Sequence, residues 1–176
     1  MTRRRWLFVT GGIALALAIA LLAVDPSRKG DGYPGILAWE FAWTEERAAE
    51  ILGEWGTEGT DAARLSLRLD FAYLLAYGAF LVLAAAATRD LAVARGWPRM
   101  ASFGQTAMAC AVGGALFDAL EDVFLLLALE GEAGDLAPRL GASFASVKFL
   151  LLAIAIAYLL IGLALRLGDR RRSAGA

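Results

Sequence analysis

The chain contains no histidine. That absence removes imidazole as general base, haem ligand or zinc ligand, and with it most metal-dependent hydrolases and histidine-based triads. There is one cysteine, Cys110, so no intramolecular disulfide and no thiolate cluster for zinc or iron–sulfur can form. It lies among Ala109, Ala111 and Gly113, the setting of a small packing residue. An excess of positive charge is also missing. Formal charge is −1 over 176 residues, which excludes a generally basic, nucleic-acid-binding chain. The sequence offers no metal finger, phosphate loop, catalytic triad or defensible internal repeat. It therefore names no catalytic residue, no metal ligand set and no cofactor, and any chemistry must rest on carboxylates, Tyr, Lys or Arg.

What the chain has in plenty is apolar surface. Hydrophobic residues make up 59% and mean hydropathy is +0.59, against roughly 45–50% apolar in soluble domains. Four runs carry the excess: Trp6–Val24 (19 residues), Phe71–Ala87 (17), Met100–Phe117 (18) and Phe149–Leu165 (17). A spanning helix needs about 20 predominantly apolar residues, with roughly 17 as the lower limit. The first run, behind Arg3, Arg4 and Arg5, is longer than a signal-peptide core of about 7–15 residues. No small-x-small site precedes Asp25-Pro26, so it reads as an uncleaved helix. The expectation is an all-α membrane protein, a four-transmembrane-helix bundle forming a single membrane domain over 1–176. Its spans are placed at 6–24, 66–88, 100–129 and 141–165. The connections are 25–65, 89–99 and 130–140, and a basic, disordered tail covers 166–176.

Arginines set the orientation. They crowd the N-terminus, the 89–99 loop (Arg89, Arg95, Arg99) and the tail (Arg166, Arg170, Arg171, Arg172). Between 25 and 65 nine Asp/Glu face four Lys/Arg, and between 130 and 140 three face one. The positive-inside rule reads this alternation as both termini in the cytoplasm.

The 25–65 loop is too long for a plain connector. It opens with turn chemistry from Asp25 to Gly35. Thr44 then offers an N-cap, with Glu45 and Glu46 suited to the first turn. Ala48, Ile51, Leu52 and Trp55 recur at helical spacing opposite Glu46, Glu50 and Glu54. The pattern predicts a short amphipathic helix ended by Gly53 or Gly56, serving as an interfacial anchor or as a lid over a pocket.

Ionisable groups at membrane depth are costly and call for a partner or a function. They are Asp70 in span two, Asp118, Glu121 and Asp122 in span three, and Lys148 in span four, with Arg68 at the mouth of span two. The topology puts them all in the outer half of the membrane. Asp118 and Glu121, three apart, share a helix face; Gly114 and Cys110 continue the Asp118 stripe with small residues that admit a neighbouring helix. Asp70, Tyr73 and Tyr77 form a matching polar stripe, and Lys148 is the natural counter-ion. Asp118 lies about 27 Å along a helix begun at Met100, near the edge of a hydrocarbon core about 30 Å thick. The acids could thus be solvated at the interface, yet Phe124–Leu129 beyond them would then need cover from the outer-loop helix. A structural network and a ligand site built from Asp70, Tyr73, Tyr77, Asp118, Glu121, Asp122 and Lys148 are both open.

The strings Asp70-x-x-Tyr73-x-x-x-Tyr77-Gly78 and Gly114-x-x-x-Asp118-x-x-Glu121-Asp122, with the Trp-rich loop, resemble a family of small uncharacterised bacterial four-span membrane proteins. The layout is also similar to EXPERA-type proteins in its four spans, long first outer loop and acids within spans. The sterol isomerases among these use a histidine, which this chain lacks, so the similarity is one of architecture.

Three functions compete. The first is binding or transport of a small cation, a proton or an amphipathic, lipid-like molecule at an outer-leaflet pocket. The second is a structural or accessory subunit, paired with a membrane-protein partner or with itself; Ala14, Ala16, Ala18 and Ala20 suit close helix contact. The third is an intramembrane lipid-modifying enzyme that uses Glu121 or Asp118 as acid or base. The bilayer is a partner in every case, and nucleic acid in none.

Overall fold

A computed structural model describes residues 2–29, 32–132 and 134–174, with backbone alone for 170–174. Every described element is helical. α1 (Arg3–Val24) meets no charge after Arg5 and stops where Pro26 cannot continue it. Arg28 caps its end, the guanidinium Nε donating to the Leu22 carbonyl at 2.6 Å. Pro26–Arg28 forms a 3-10 turn. Asp25 ties that turn to the next helix: Oδ1 accepts from Ser27 N at 2.9 Å, and Oδ2 accepts from Ile36 N at 3.2 Å. Gly30 and Asp31, part of the expected turn stretch, lie outside the described residues.

α2 (Ile36–Glu40) is one turn long. α3 (Glu45–Ala94) starts at Thr44, whose hydroxyl accepts from Arg47 N at 3.1 Å, so the cap read from the sequence is present. The amphipathic pattern ends at Gly56, which takes φ 57° and ψ −158°, a conformation essentially restricted to glycine. The helix resumes at once. The stretch 57–65, placed in a loop by sequence, is therefore helix, continuous with the segment that carries Asp70.

α4 (Pro98–Leu129) begins with proline at its first position, where the missing N–H is harmless. α5 (Leu136–Ala174) follows a short turn. It corrects the expectation of a loose tail, since the backbone stays helical through 174; the side chains of Arg170, Arg171 and Arg172 lie outside the described residues. Three helices, α1, α3 and α5, are long and apolar enough to cross a membrane. α4 carries Gln105 and three acids among its apolar residues and is not one of those three.

Packing follows three layers. At the Trp-rich end, Trp39, Ile51, Trp55, Leu125 and Leu129 form one buried cluster, so the amphipathic start of α3 covers the apolar turn beyond the acids of α4. Trp55 Nε1 donates to the Pro34 carbonyl at 2.6 Å, pinning α3 to the approach to α2. The middle layer joins Leu74, Tyr77, Leu81, Cys110, Ala111, Ala155 and Ala14. The arginine-rich end closes on Ala85, Ala107 and Tyr158. Gly114 sits where α4 and α5 approach closely: a Cβ there would meet Leu152 Cδ2 at 2.7 Å.

Candidate functional site

The acids and the lysine meet where α3, α4 and α5 converge under α2. Asp118, Glu121, Asp122 and Lys148 are 3%, 0%, 1% and 5% exposed, so the cluster is inside the protein and not solvated at an interface. Lys148 is its hub. Nζ donates to Asp118 Oδ1 at 2.8 Å and lies 2.6 Å from Glu121 Oε2 and 3.8 Å from Glu40 Oε2. The other Asp118 oxygen, Oδ2, accepts from the Tyr77 hydroxyl at 2.7 Å. Both oxygens are thus held, and the carboxylate plane is fixed between α3 and α5.

This arrangement follows from helix geometry. Residues three and four apart on α4 present Asp118, Glu121 and Asp122 over little more than one turn. Small residues at Gly114 and Cys110 bring α5 and α3 close enough for Lys148 and Tyr77 to reach. Tyr73 packs against Tyr77 with centroids 5.0 Å apart and ring planes tilted by 57°. Asp70, Asp118 and Asp122 each offer an oxygen within 4.8 Å of the others. Asp122 Oδ2 is buried without a hydrogen-bond partner.

Beside the cluster lies a cavity of about 670 Å³ between α1, α3 and α5. Its long walls are apolar, with Leu15, Leu22, Leu67, Phe80, Leu81 and Ile156 among them. One end is polar: Glu40, Asp70, Asp118, Lys148, Tyr73 and Tyr77 all line it. Of the alanine stripe on α1, Ala14 and Ala18 face this space. Five of the seven residues named from sequence therefore reach the cavity. Glu121 and Asp122 do not, being packed behind Asp118 and Lys148. Arg68 is exposed and takes no part.

Two residues escaped the sequence. Glu40, on α2, caps the cavity and approaches Lys148; burial raises its carboxyl above the ordinary range, and the charge of Lys148 opposes that rise. Asp25 lines the same space while holding the start of α2. Both sit in the loop composition that reads as solvated, and no spacing links them to α5. The Trp39-Glu40-Phe41 string was the one local sign, an acid between two aromatics. Trp39 is buried at 1%, and Phe41 stacks on Phe149 at 5.9 Å, so the aromatics draw Glu40 inward.

No protein-family model matches this chain, and no curated protein or solved structure does. What the site does must be argued from its own chemistry. Polar groups able to hold a charged molecule stand at one end of an apolar chamber, with carboxylates outnumbering the single ammonium.

Proposed function

We propose that this protein is a four-span protein of the bacterial cytoplasmic membrane whose cavity binds an amphipathic organic cation from the outer leaflet. The observation that carries the reading is the cavity's polarity: about 670 Å³, apolar along its walls, ending in Glu40, Asp70 and Asp118. That volume is in the range of small-molecule sites, which join apolar walls to a few placed polar groups. A cationic head would meet carboxylates and the faces of Tyr73 and Tyr77, both favourable for a positive charge. The tail would lie along Leu15, Leu81 and Ile156. Lys148 is the resting counter-ion, so ligand entry exchanges one cation for another on Asp118.

The fourth crossing, α4, and the cytoplasmic location of both termini belong to this proposal. Their support is the segregation of arginine, and the three apolar helices among which α4 packs. The resemblance to small bacterial four-span proteins agrees with that layout. A wholly structural network draws on the Lys148 ion pairs, but such a network leaves the adjoining chamber without a purpose.

The test is binding of dodecyltrimethylammonium to the full chain in lipid nanodiscs, beside dodecanol of equal chain length. Saturable binding of the cation alone, weakened by Ile156→Trp in the wall and by Asp70→Asn at the polar end, is the expected result. Equal binding of the two amphiphiles, or binding indifferent to both substitutions, would end the proposal. Labelling of single cysteines placed at 58 and 95 in a Cys110→Ala background tests topology, with outside access expected at 58 only.

A further inference from the structure

Behind the polar end of the cavity, the charges do not balance. Lys148 lies against Glu40, Asp118 and Glu121. Asp70 and Asp122 stand close to Asp118, and no hydrogen bond or ion pair joins either of them to a basic side chain among the described residues. Carboxylates a few ångströms apart in a low-dielectric interior repel strongly, and a buried charge without a partner is expensive. Something must neutralise this group.

Two kinds of neutraliser are available, a proton or a metal cation. Asp122 Oδ2 is buried in a residue 1% exposed, and no donor group reaches it. The three aspartates offer one oxygen each within 4.8 Å of the others, an arrangement open to one shared ion. Oxygens on opposite sides of a cation with metal–oxygen distances of about 2.3–2.6 Å stand about 4.6–5.2 Å apart. A largest separation of 4.8 Å leaves room for a common central ion of calcium size. The donors are all hard oxygens, with no imidazole or thiolate, which favours calcium or manganese over zinc or copper.

We infer that Asp70, Asp118 and Asp122 form a binding site for a hard divalent cation. The surroundings suit that role. Tyr77 and Lys148 each hold one oxygen of Asp118, the kind of outer support that orients a metal-ligating carboxylate. Asp70 lines the cavity and is half-buried, so it provides the way in. Asp122 is the inner ligand. The site shares Asp70 and Asp118 with the polar end of the cavity, and only Asp122 lies outside the cavity lining, so Asp122 is the residue that tells the two readings apart.

The experiment is a titration of the full chain in nanodiscs of neutral lipid with Mn2+, followed by loss of the free-ion EPR signal, with Ca2+ as competitor. The expected result is one Mn2+ bound per chain, displaced by Ca2+. Asp122→Asn should weaken binding at least about tenfold, since even outer-shell changes at metal sites cost 10–100-fold. Glu130→Gln, an exposed acid paired with Arg64, should leave binding unchanged. Should Asp122→Asn not fold, Asp70→Asn carries the same expectation. Wild-type protein that takes up no Mn2+ at millimolar concentration, or binding equal in the aspartate variants, overturns the site. Dodecyltrimethylammonium binding retained by Asp122→Asn alongside lost Mn2+ would separate this site from the cavity reading.

Discussion

The two ends of the bundle both carry salt bridges, yet they are different objects. At the arginine-rich end, Arg3 pairs with Asp90, and Arg95 with Asp169 at 2.7 Å. Those side chains are at least partly exposed to solvent, and each pair links one helix to another. At the Trp-rich end, Lys148 is buried among three carboxylates. The same chemical groups thus do weak work at one end and strong work at the other. Water decides the difference: exposed pairs gain about 0–1 kcal/mol, whereas removing one partner of a buried pair costs about 3–5 kcal/mol.

That contrast is broken most severely at its hub. Lys148→Met should destabilise the protein by about 3–5 kcal/mol, because it leaves buried carboxylates uncompensated; reversible unfolding in mild detergent reads the loss. Tyr77→Phe removes only the hydroxyl that donates to Asp118. A hydrogen bond to a charged group is worth about 1.5–3 kcal/mol, and the same unfolding measurement should return a loss in that range.

Glu40 sharpens the comparison through pH. Its carboxyl is raised in the folded protein, first by burial, with Lys148 opposing. The folded state therefore holds its proton at pH values where the unfolded chain has released it. Stability contributed by this group is present below the unfolded value and falls as pH rises through the folded one. A melting-temperature profile should decline upward from about the ordinary glutamate range, and Glu40→Gln should flatten that decline. Smallest of all, Arg95→Ala should cost under about 1 kcal/mol, and salt should erase even that. A larger loss at Arg95 would mean the two ends are less different than their burial implies.

The helices were legible from hydrophobic runs, because a segment of apolar residues 17 or more long has few other ways to fold. The Thr44 cap was also legible, being local backbone chemistry, and the break at Gly56 falls on one of the two glycines, Gly53 and Gly56, that the pattern offers. So was the convergence of Asp70, Tyr77, Asp118 and Lys148, since helix periodicity and membrane depth together restrict where charges can go. The stretch 57–65 reads as loop because polar helix, held by ion pairs such as Arg64 with Asp61 and Glu130, looks like solvated chain in composition. Glu40 was invisible because its approach to Lys148 depends on Trp39 and Phe41 packing over the bundle.

By itself, then, the sequence determined an all-helical chain with apolar segments and a set of charges at one level, for these follow from local periodicity and transfer free energy. Only the tertiary structure decided how those charges divide. Lys148 went to Asp118 and Glu121, Glu40 joined them from above, and Asp122 was left with a bare oxygen beside Asp70. Only it opened the chamber between α1, α3 and α5. Contacts between residues 30 to more than 100 positions apart depend on helix rotation and spacing, and those are set by packing at places such as Gly114 and Leu152, not by any single segment.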